Sequence, residues 1–232
     1  MLKFIKRLLG GLILLALLAL ALLSFHGWTL YREMEREQPL SDRVNEVRLK
    51  EDFTPYEELP QTYVDAVIAI EDSRFRLHPG VDPISIVRAL VRDIKEREWV
   101  EGGSTITQQL AKNICFSQDK RLTRKAAEMF AAFALEHNYS KDEIFELYVN
   151  SIYYGNGWYC VADAAEGYFG VPPQEMTDYQ CTALACYPNA PSVFMEEENE
   201  EALEARRQAV LERMVRYGYL SEEEAAELGY EQ

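Results

Sequence analysis

Apolar positions run without interruption from Leu8 to Phe25, and nowhere else does the chain carry such a stretch. As a helix, about 18 residues rise roughly 27 Å, close to the thickness of one bilayer hydrocarbon core. Lys3, Lys6 and Arg7 precede the run, while Glu33, Glu35 and Glu37 follow it. Basic flanks mark the cytoplasmic side, so residues 1–7 are expected inside, 8–28 as the anchor, and everything after Trp28 outside. Trp28 and Tyr31 fit an interfacial aromatic belt. The run continues past Ala19-Leu20-Ala21, the small-residue pattern of a cleaved signal peptide, so the anchor is expected to stay uncleaved.

Beyond the anchor the pattern becomes helical in period. Residues 29–54 read as a charged, irregular stalk, 55–195 as a core, and 196–232 as C-terminal helices. Leu59-Pro60 opens a helix with Val64, Val67, Ile68 and Glu71 at helical spacing, ending near Asp72, and His78-Pro79-Gly80 makes a turn. Asp82 then caps a helix with Pro83 in its first position and a stripe of Ile84, Val87, Val91 and Ile94, reaching about Trp99. In Gly102-Gly103-Ser104-Thr105-Ile106-Thr107-Gln108-Gln109-Leu110-Ala111-Lys112-Asn113, Ser104 reads as the N-cap of a helix with Ile106, Leu110 and Ile114 on one face. An alanine-rich helix follows from about Leu122 to Tyr139. Ser140 to Glu143 and Thr177 to Gln180 are capping boxes for later helices. A short helix from Val161 stops at Gly170, and acidic residues from Glu196 open a helix reaching Tyr217. Ser221 caps a last helix. No strand-like alternation of any length occurs, so the expected class is all-α.

Composition narrows this picture. The chain of 232 residues suffices for one sizeable domain with an appendage, and 14 Tyr with 10 Phe argue for a packed core. A net charge of -15 argues against nucleic acid as a partner. Cys115, Cys160, Cys181 and Cys186 match no metal or redox spacing, and Cys181 and Cys186 sit five apart on an expected helix, a poor geometry for a bridge, so free buried thiols are expected.

The candidate chemistry lies in three places. Glu71 ends an apolar helix, where partial desolvation raises a carboxylate pKa and suits it to general acid–base work; the alternative is a solvated helix end. Glu128 shares a helix face with Arg124 and Lys125, either as a surface ion pair or as the wall of a polar cleft. Lys112, Arg121, Arg124 and Lys125 form a cationic cluster beside a glycine-preceded helix start, an arrangement that suits phosphate or pyrophosphate. Two carboxylates with a pyrophosphate clamp describe glycosyl transfer: one carboxylate deprotonates a hydroxyl while cations stabilise a departing sugar pyrophosphate.

These residues resemble a known family. Glu71 to Gly80 resembles the motif EDxxFxxHxG, Gly102 to Asn113 resembles GGSTITQQLxKN, and Arg124-Lys125-Ala126-Ala127-Glu128 resembles RKxxE. Ser140 to Asn150 is similar to SKxxILxxYLN, and Ala164 to Gly170 is similar to AAxxYFG. The family is the peptidoglycan glycosyltransferases, family 51, in monofunctional form, over about residues 55–195. The resemblance implies a lysozyme-like, bilobal all-α fold whose smaller apolar lobe takes in a lipid chain. It implies lipid II as substrate, Glu71 as the base on the acceptor hydroxyl, inversion, and departure of undecaprenyl pyrophosphate. Glu128 is implied as a second catalytic residue, with Arg74, Ser104, Thr105, Gln109, Lys112, Arg124 and Lys125 binding substrate. Asp72, Phe75, His78, Gly102, Gly103 and Asn113 are implied to shape the motifs. A divalent cation, Mg2+ or Mn2+, is implied as cofactor. The implied partners are lipid II and the growing glycan chain, the lipid bilayer, and other cell-wall synthesis or division proteins, at a bacterial cell membrane.

Some positions depart from the family pattern. Gln180 stands where a glutamate is usual, Cys186-Tyr187-Pro188-Asn189-Ala190-Pro191-Ser192 replaces GLPQAPS, and Val171 replaces a lysine after YFG. The chain ends at Gln232, so polymerisation without transpeptidation is expected. The competing readings are a hydrolytic or lytic enzyme on the same polymer, against which the cationic cluster and anchor argue, and a catalytically silent anchored scaffold, against which Glu71 and Glu128 argue.

Overall fold

The computed structural model describes residues 2–96, 103–116, 122–189 and 200–230. Among these residues the elements are α-helices, short 3-10 turns and no strand, in agreement with the all-α expectation. The helices are α1 (Leu2–Glu37), α2 (Leu40–Arg48), α3 (Gln61–Glu71), α4 (Pro83–Glu96), α5 (Ile106–Cys115), α6 (Leu122–Asn138), α7 (Lys141–Val149), α8 (Val161–Phe169), α9 (Asp178–Leu184), α10 (Glu200–Arg216) and α11 (Glu222–Glu227). The expected continuation of α4 to Trp99 and the acidic stretch from Glu196 lie outside the described residues.

The centre of the molecule is α3. Tyr63, Val64 and every residue from Ala66 to Ile70 are buried, so this helix is covered on all sides rather than on one stripe. A helix that is apolar all round belongs in the middle of a core. Its neighbours are α9 and α10, and the Tyr63 and Tyr154 hydroxyls meet at 2.6 Å beneath it. Its last residue, Glu71, is therefore placed at the edge of the core by a helix packed on all sides.

The stalk is not irregular. α1 continues as one helix to Glu37, and α2 follows after a short break. Leu40, Val44 and Val47 of α2 are buried, and Arg48 reaches Glu143 at 2.8 Å. The spacing of those three apolar residues is helical, but the surrounding Arg and Glu residues mask it in a composition-based reading.

α1 has 36 residues, so it is about 54 Å long and exceeds one hydrocarbon core. It is the one helix among the described residues long and apolar enough to cross a membrane. Its far end packs against α6. Gly27 sits so close that a Cβ there would come within 2.4 Å of the Ala126 Cβ. The rings of Trp28 and Tyr31, expected in an aromatic belt, lie 5.3 and 6.4 Å from that of Phe130. The anchor is thus a strut clamped to the helix that carries Arg124, Lys125 and Glu128. Gly27→Leu is expected to cost about 1–3 kcal/mol through overpacking, read as a lower thermal midpoint of the detergent-solubilised protein.

The apolar stripe of α4 faces outward. Ile84, Val87 and Val91 are 57%, 60% and 60% exposed. In a chain with a bilayer anchor, such a face is suited to lipid rather than to a core. The four cysteines are free and buried, as expected, and burial pushes the Cys115, Cys181 and Cys186 thiols up to about 12.

Candidate active site

The loop after α3 and the start of α5 are locked together. The His78 ring accepts the Gly80 N–H at Nδ1, so the proton resides on Nε2, which donates to both Asp72 carboxylate oxygens at 3.1 and 3.0 Å. Asp72 Oδ2 also accepts the Ile106 N–H at 3.0 Å, compensating the partial positive charge at the start of α5. Gly80 has φ +94 and lies against Ala132, so a side chain there is excluded twice over. Phe75 is fully buried, with the Lys141 ammonium 4.5 Å above its ring. Asp72, Phe75 and His78 therefore hold the backbone around Glu71.

The cap of α5 is Thr105, not Ser104. Thr105 accepts the Gln108 N–H, Gln108 returns a bond to the Thr105 N–H, and the Thr105 hydroxyl donates to the Gly80 carbonyl at 2.6 Å. Threonine and glutamine three apart satisfy two otherwise orphaned donors reciprocally, which serine one residue earlier is not placed to do. Ser104 is thereby released to face a cleft, where its Oγ accepts from Lys125 Nζ at 2.7 Å.

That cleft has a volume of about 300 Å³ and lies between the ends of α3 and α5, the first turns of α4, Lys125 of α6 and one face of α10. Glu71 forms its floor. Gln109 Nε2 donates to Glu71 Oε2 at 2.8 Å, and Gln109 Oε1 accepts from the Tyr148 hydroxyl at 3.4 Å. Burial pushes the Glu71 carboxyl above its ordinary range; the Gln109 hydrogen bond and the positive charges of Arg206 and Arg213 act against this, while Asp72 adds to it. The cations lining the cleft are Arg88, Lys112, Lys125, Arg206 and Arg213, against the carboxylates of Glu71 and Asp72 alone. In a chain of net charge -15, this concentrates positive potential at one point and selects an anionic ligand. Lys112 has no ion-pair partner among the described residues, and Arg206 Nε is buried without a hydrogen-bond acceptor.

Other expected site residues sit elsewhere. Glu128 is completely buried behind the cleft wall, with Arg124 Nε at 2.8 Å and Lys125 Nζ at 3.0 Å. It orients Lys125, which in turn reaches Ser104. Arg74 is turned away from the cleft lining and pairs with Asp82 at 2.9 Å, the residue whose carboxylate also caps α4 through Ile84 and Ser85. Gly103 lies in the lining, and Asn113 lines a second cavity on α5. Gly102 and Arg121 lie outside the described residues. Gln180 occupies the third position of the α9 capping box, where glutamine closes the box as glutamate does.

Sequence reasoning missed Arg88, Arg206 and Arg213. A signal existed for the last two: they are seven apart, two turns on one helix face, flanked by the buried Val210, Leu211 and Met214.

Comparison with known proteins bears directly on this arrangement. The profile of the family described as Transglycosylase matches residues 37–215, a span that contains Glu71, Gln109, Lys112, Lys125, Glu128, Arg206 and Arg213. The chain belongs to the transglycosylase family. A Cupriavidus necator protein described as a transglycosylase is 40% identical over 186 residues, covering 80% of this chain and 80% of that protein. Penicillin-binding protein 1A/1B of Bacillus subtilis is 41% identical over 174 residues, 75% of this chain but 19% of its own length. Penicillin-binding protein 1A of Escherichia coli is 36% identical over 242 residues, 96% of this chain and 28% of its own. The transglycosylase unit thus recurs as one part of longer proteins. With the family comes the enzyme class, a glycosyltransferase of peptidoglycan synthesis, here with a helix fit to anchor it in a membrane.

Proposed function

We propose that this transglycosylase polymerises lipid II into glycan strands, with Glu71 as the general base. The carrying observation is a carboxylate of raised pKa, aimed by Gln109, at the floor of a cleft otherwise lined by cations. Glu71 takes the proton from the acceptor's GlcNAc 4-hydroxyl. That oxygen forms a bond to the anomeric carbon of the growing chain's MurNAc from the face opposite the leaving group. The bond from that carbon to the pyrophosphate oxygen breaks, its electron pair leaves on undecaprenyl pyrophosphate, and the configuration inverts. Lys112 and Lys125 receive the developing negative charge, with Ser104 holding the Lys125 ammonium and Thr105 capping the helix that carries Lys112. Arg206 and Arg213, on the opposite wall, hold the second substrate molecule and moderate the Glu71 pKa.

Glu128 and Arg124 act one layer back, by positioning Lys125. The carboxylates at the cleft do not suit a protein-held divalent ion: Asp72 is committed to His78 and Ile106, and Glu128 to two cations. Mg2+ or Mn2+ fits there only as a companion of the pyrophosphate oxygens, the usual way Mg2+ is held. The exposed stripe of α4 takes the lipid chain alongside the bilayer. The basic N-terminus lies in the cytoplasm, so catalysis takes place outside it.

Purified full-length protein supplied with fluorescent lipid II in detergent is expected to yield a ladder of long glycan strands and free undecaprenyl pyrophosphate. Degradation of purified sacculi without strand growth would reverse the reading in favour of a hydrolase.

A further inference from the structure

Arg206 and Arg213 line the cleft, but Arg207, next to Arg206 in the chain, does not. One step along a helix turns a side chain by about 100°, so Arg207 leaves α10 on a different face from the other two. It is buried all the same. Its Nε and Nη2 donate to the two Glu204 carboxylate oxygens at 2.8 and 2.7 Å, and its Nη1 donates to the Leu228 carbonyl at 2.8 Å. Its guanidinium lies 4.5 Å from the centre of the Tyr179 ring. One side chain thus joins α9, α10 and the end of α11, whose C-cap is Leu228.

The end of α11 is shaped to this contact. Gly229 has φ +86, and a Cβ there would lie 3.2 Å from Arg207 Nη2, so the chain turns over the guanidinium at a glycine. Gln208 Nε2 adds a bond to the Gly229 carbonyl at 2.7 Å. On the core side, α10 buries Val210, Leu211 and Met214. Apolar burial is non-directional, so it holds the helix against the core without fixing its rotation. A bidentate, charge-assisted pair does carry a direction. Arg213 makes one bond inward, from Nη1 to the Ile70 carbonyl at 3.0 Å, beside Glu71. Arg206 Nε is buried without an acceptor, so the aim of Arg206 depends on the rotation of the helix that carries it.

We propose that Arg207 is a positioning residue for the transferase: latched to α11 and Tyr179, it fixes the rotation of α10 that turns Arg206 and Arg213 toward Glu71. The C-terminal α11, remote from the reacting atoms, is thereby a support of the cleft wall. The proposal rests on the reading of Glu71 as the base. Of the charged and titratable groups around Glu71, only Arg206 and Arg213 are carried by α10; Tyr63, Asp72, Arg88, Lys112, Lys125 and Tyr148 come from other parts of the chain.

The test is Arg207→Met in the detergent-solubilised full-length protein, with and without Glu71→Gln. The Glu204 side chain is 42% exposed and can return to water, so the variant is expected to fold. At neutral pH Arg207→Met should lower the thermal midpoint more in the wild-type background than in Glu71→Gln, because an ionised Glu71 loses the two charges that compensate it. In acid, where Glu71 is protonated, the difference should close. Initial rates on lipid II should show the acid limb moved to higher pH. Gly229→Val keeps the arginine but crowds it, and should move both readouts in the same direction. Equal midpoint losses in both backgrounds at every pH, with an unmoved rate limb, would overturn the proposal and leave Arg207 as a support of the fold alone. Wild-type protein that makes no polymer would instead overturn the enzymatic reading, and the midpoints would still decide the role of Arg207.

Discussion

Replacing Glu71 with glutamine is expected to lower polymerisation by about 10³- to 10⁴-fold, the upper range for removal of a positioned general base. Glutamine keeps the shape and can still accept the hydrogen bond from Gln109 Nε2, so the cleft should persist without its proton acceptor. The same variant is expected to be more heat-stable at neutral pH. Burial raises the Glu71 carboxyl above its ordinary value of 4.5, so the folded state holds that proton more tightly than the unfolded chain does. Stability is then lost as pH rises from the ordinary value through the raised one, and above both the ionised carboxylate costs the fold free energy. Glutamine carries no such cost, and its advantage should vanish in acid. Activity has the opposite dependence: wild-type turnover should fall as pH drops through the raised Glu71 pKa. Arg213→Met removes a charge that lowers that pKa and should move this limb to higher pH. Initial rates against pH and melting curves for the three proteins check the scheme. Full activity in Glu71→Gln, or an unshifted limb in Arg213→Met, would remove Glu71 from the base position.

What could be read in advance was local in character. The capping boxes at Ser140, Thr177 and Ser221, the turn at Gly80 and the stop at Gly170 depend on a few adjacent residues, and all appear as expected. Side-chain direction was less accessible. Ser104 and Thr105 are both competent caps, and only the register of Gln108 decides between them. Glu128 stands between Arg124 and Lys125 in either reading, and periodicity does not say whether that face meets water or the underside of a cleft; its complete burial comes from the α6 packing. Arg206 joins Glu71 across 135 positions of chain, a proximity that no local pattern encodes. The stripe on α4 was visible as periodic, but periodicity alone does not say whether it turns inward or outward. Short capping rules therefore transferred well, while contacts made by tertiary packing did not.

Glu128→Ala is expected to be the most destabilising single change at the site, at about 3 kcal/mol, because it breaks a buried ion pair by removing its carboxylate. Arg124 has only 16% of its side chain exposed and has little access to water, whereas Lys125 is 44% exposed and can re-solvate, which keeps the cost at the lower end of the range for broken buried pairs. For a chain of this size that is a fall of about 6–12 °C in thermal midpoint. Activity should fall as well, for a separate reason: without Glu128, Lys125 loses one of its two tethers and Ser104 loses a fixed donor. The two effects can be separated. Glu128→Gln combined with Arg124→Met replaces the buried charges by neutral groups of similar size, a change that is often neutral for stability. This double variant should recover most of the midpoint yet keep a raised KM for lipid II, because Lys125 loses its ion pair and keeps only neutral acceptors. Recovery of both stability and KM would show that Glu128 serves the fold alone. Recovery of stability with KM still raised identifies Glu128 as the residue that positions Lys125, and through it the cation-lined wall of the cleft.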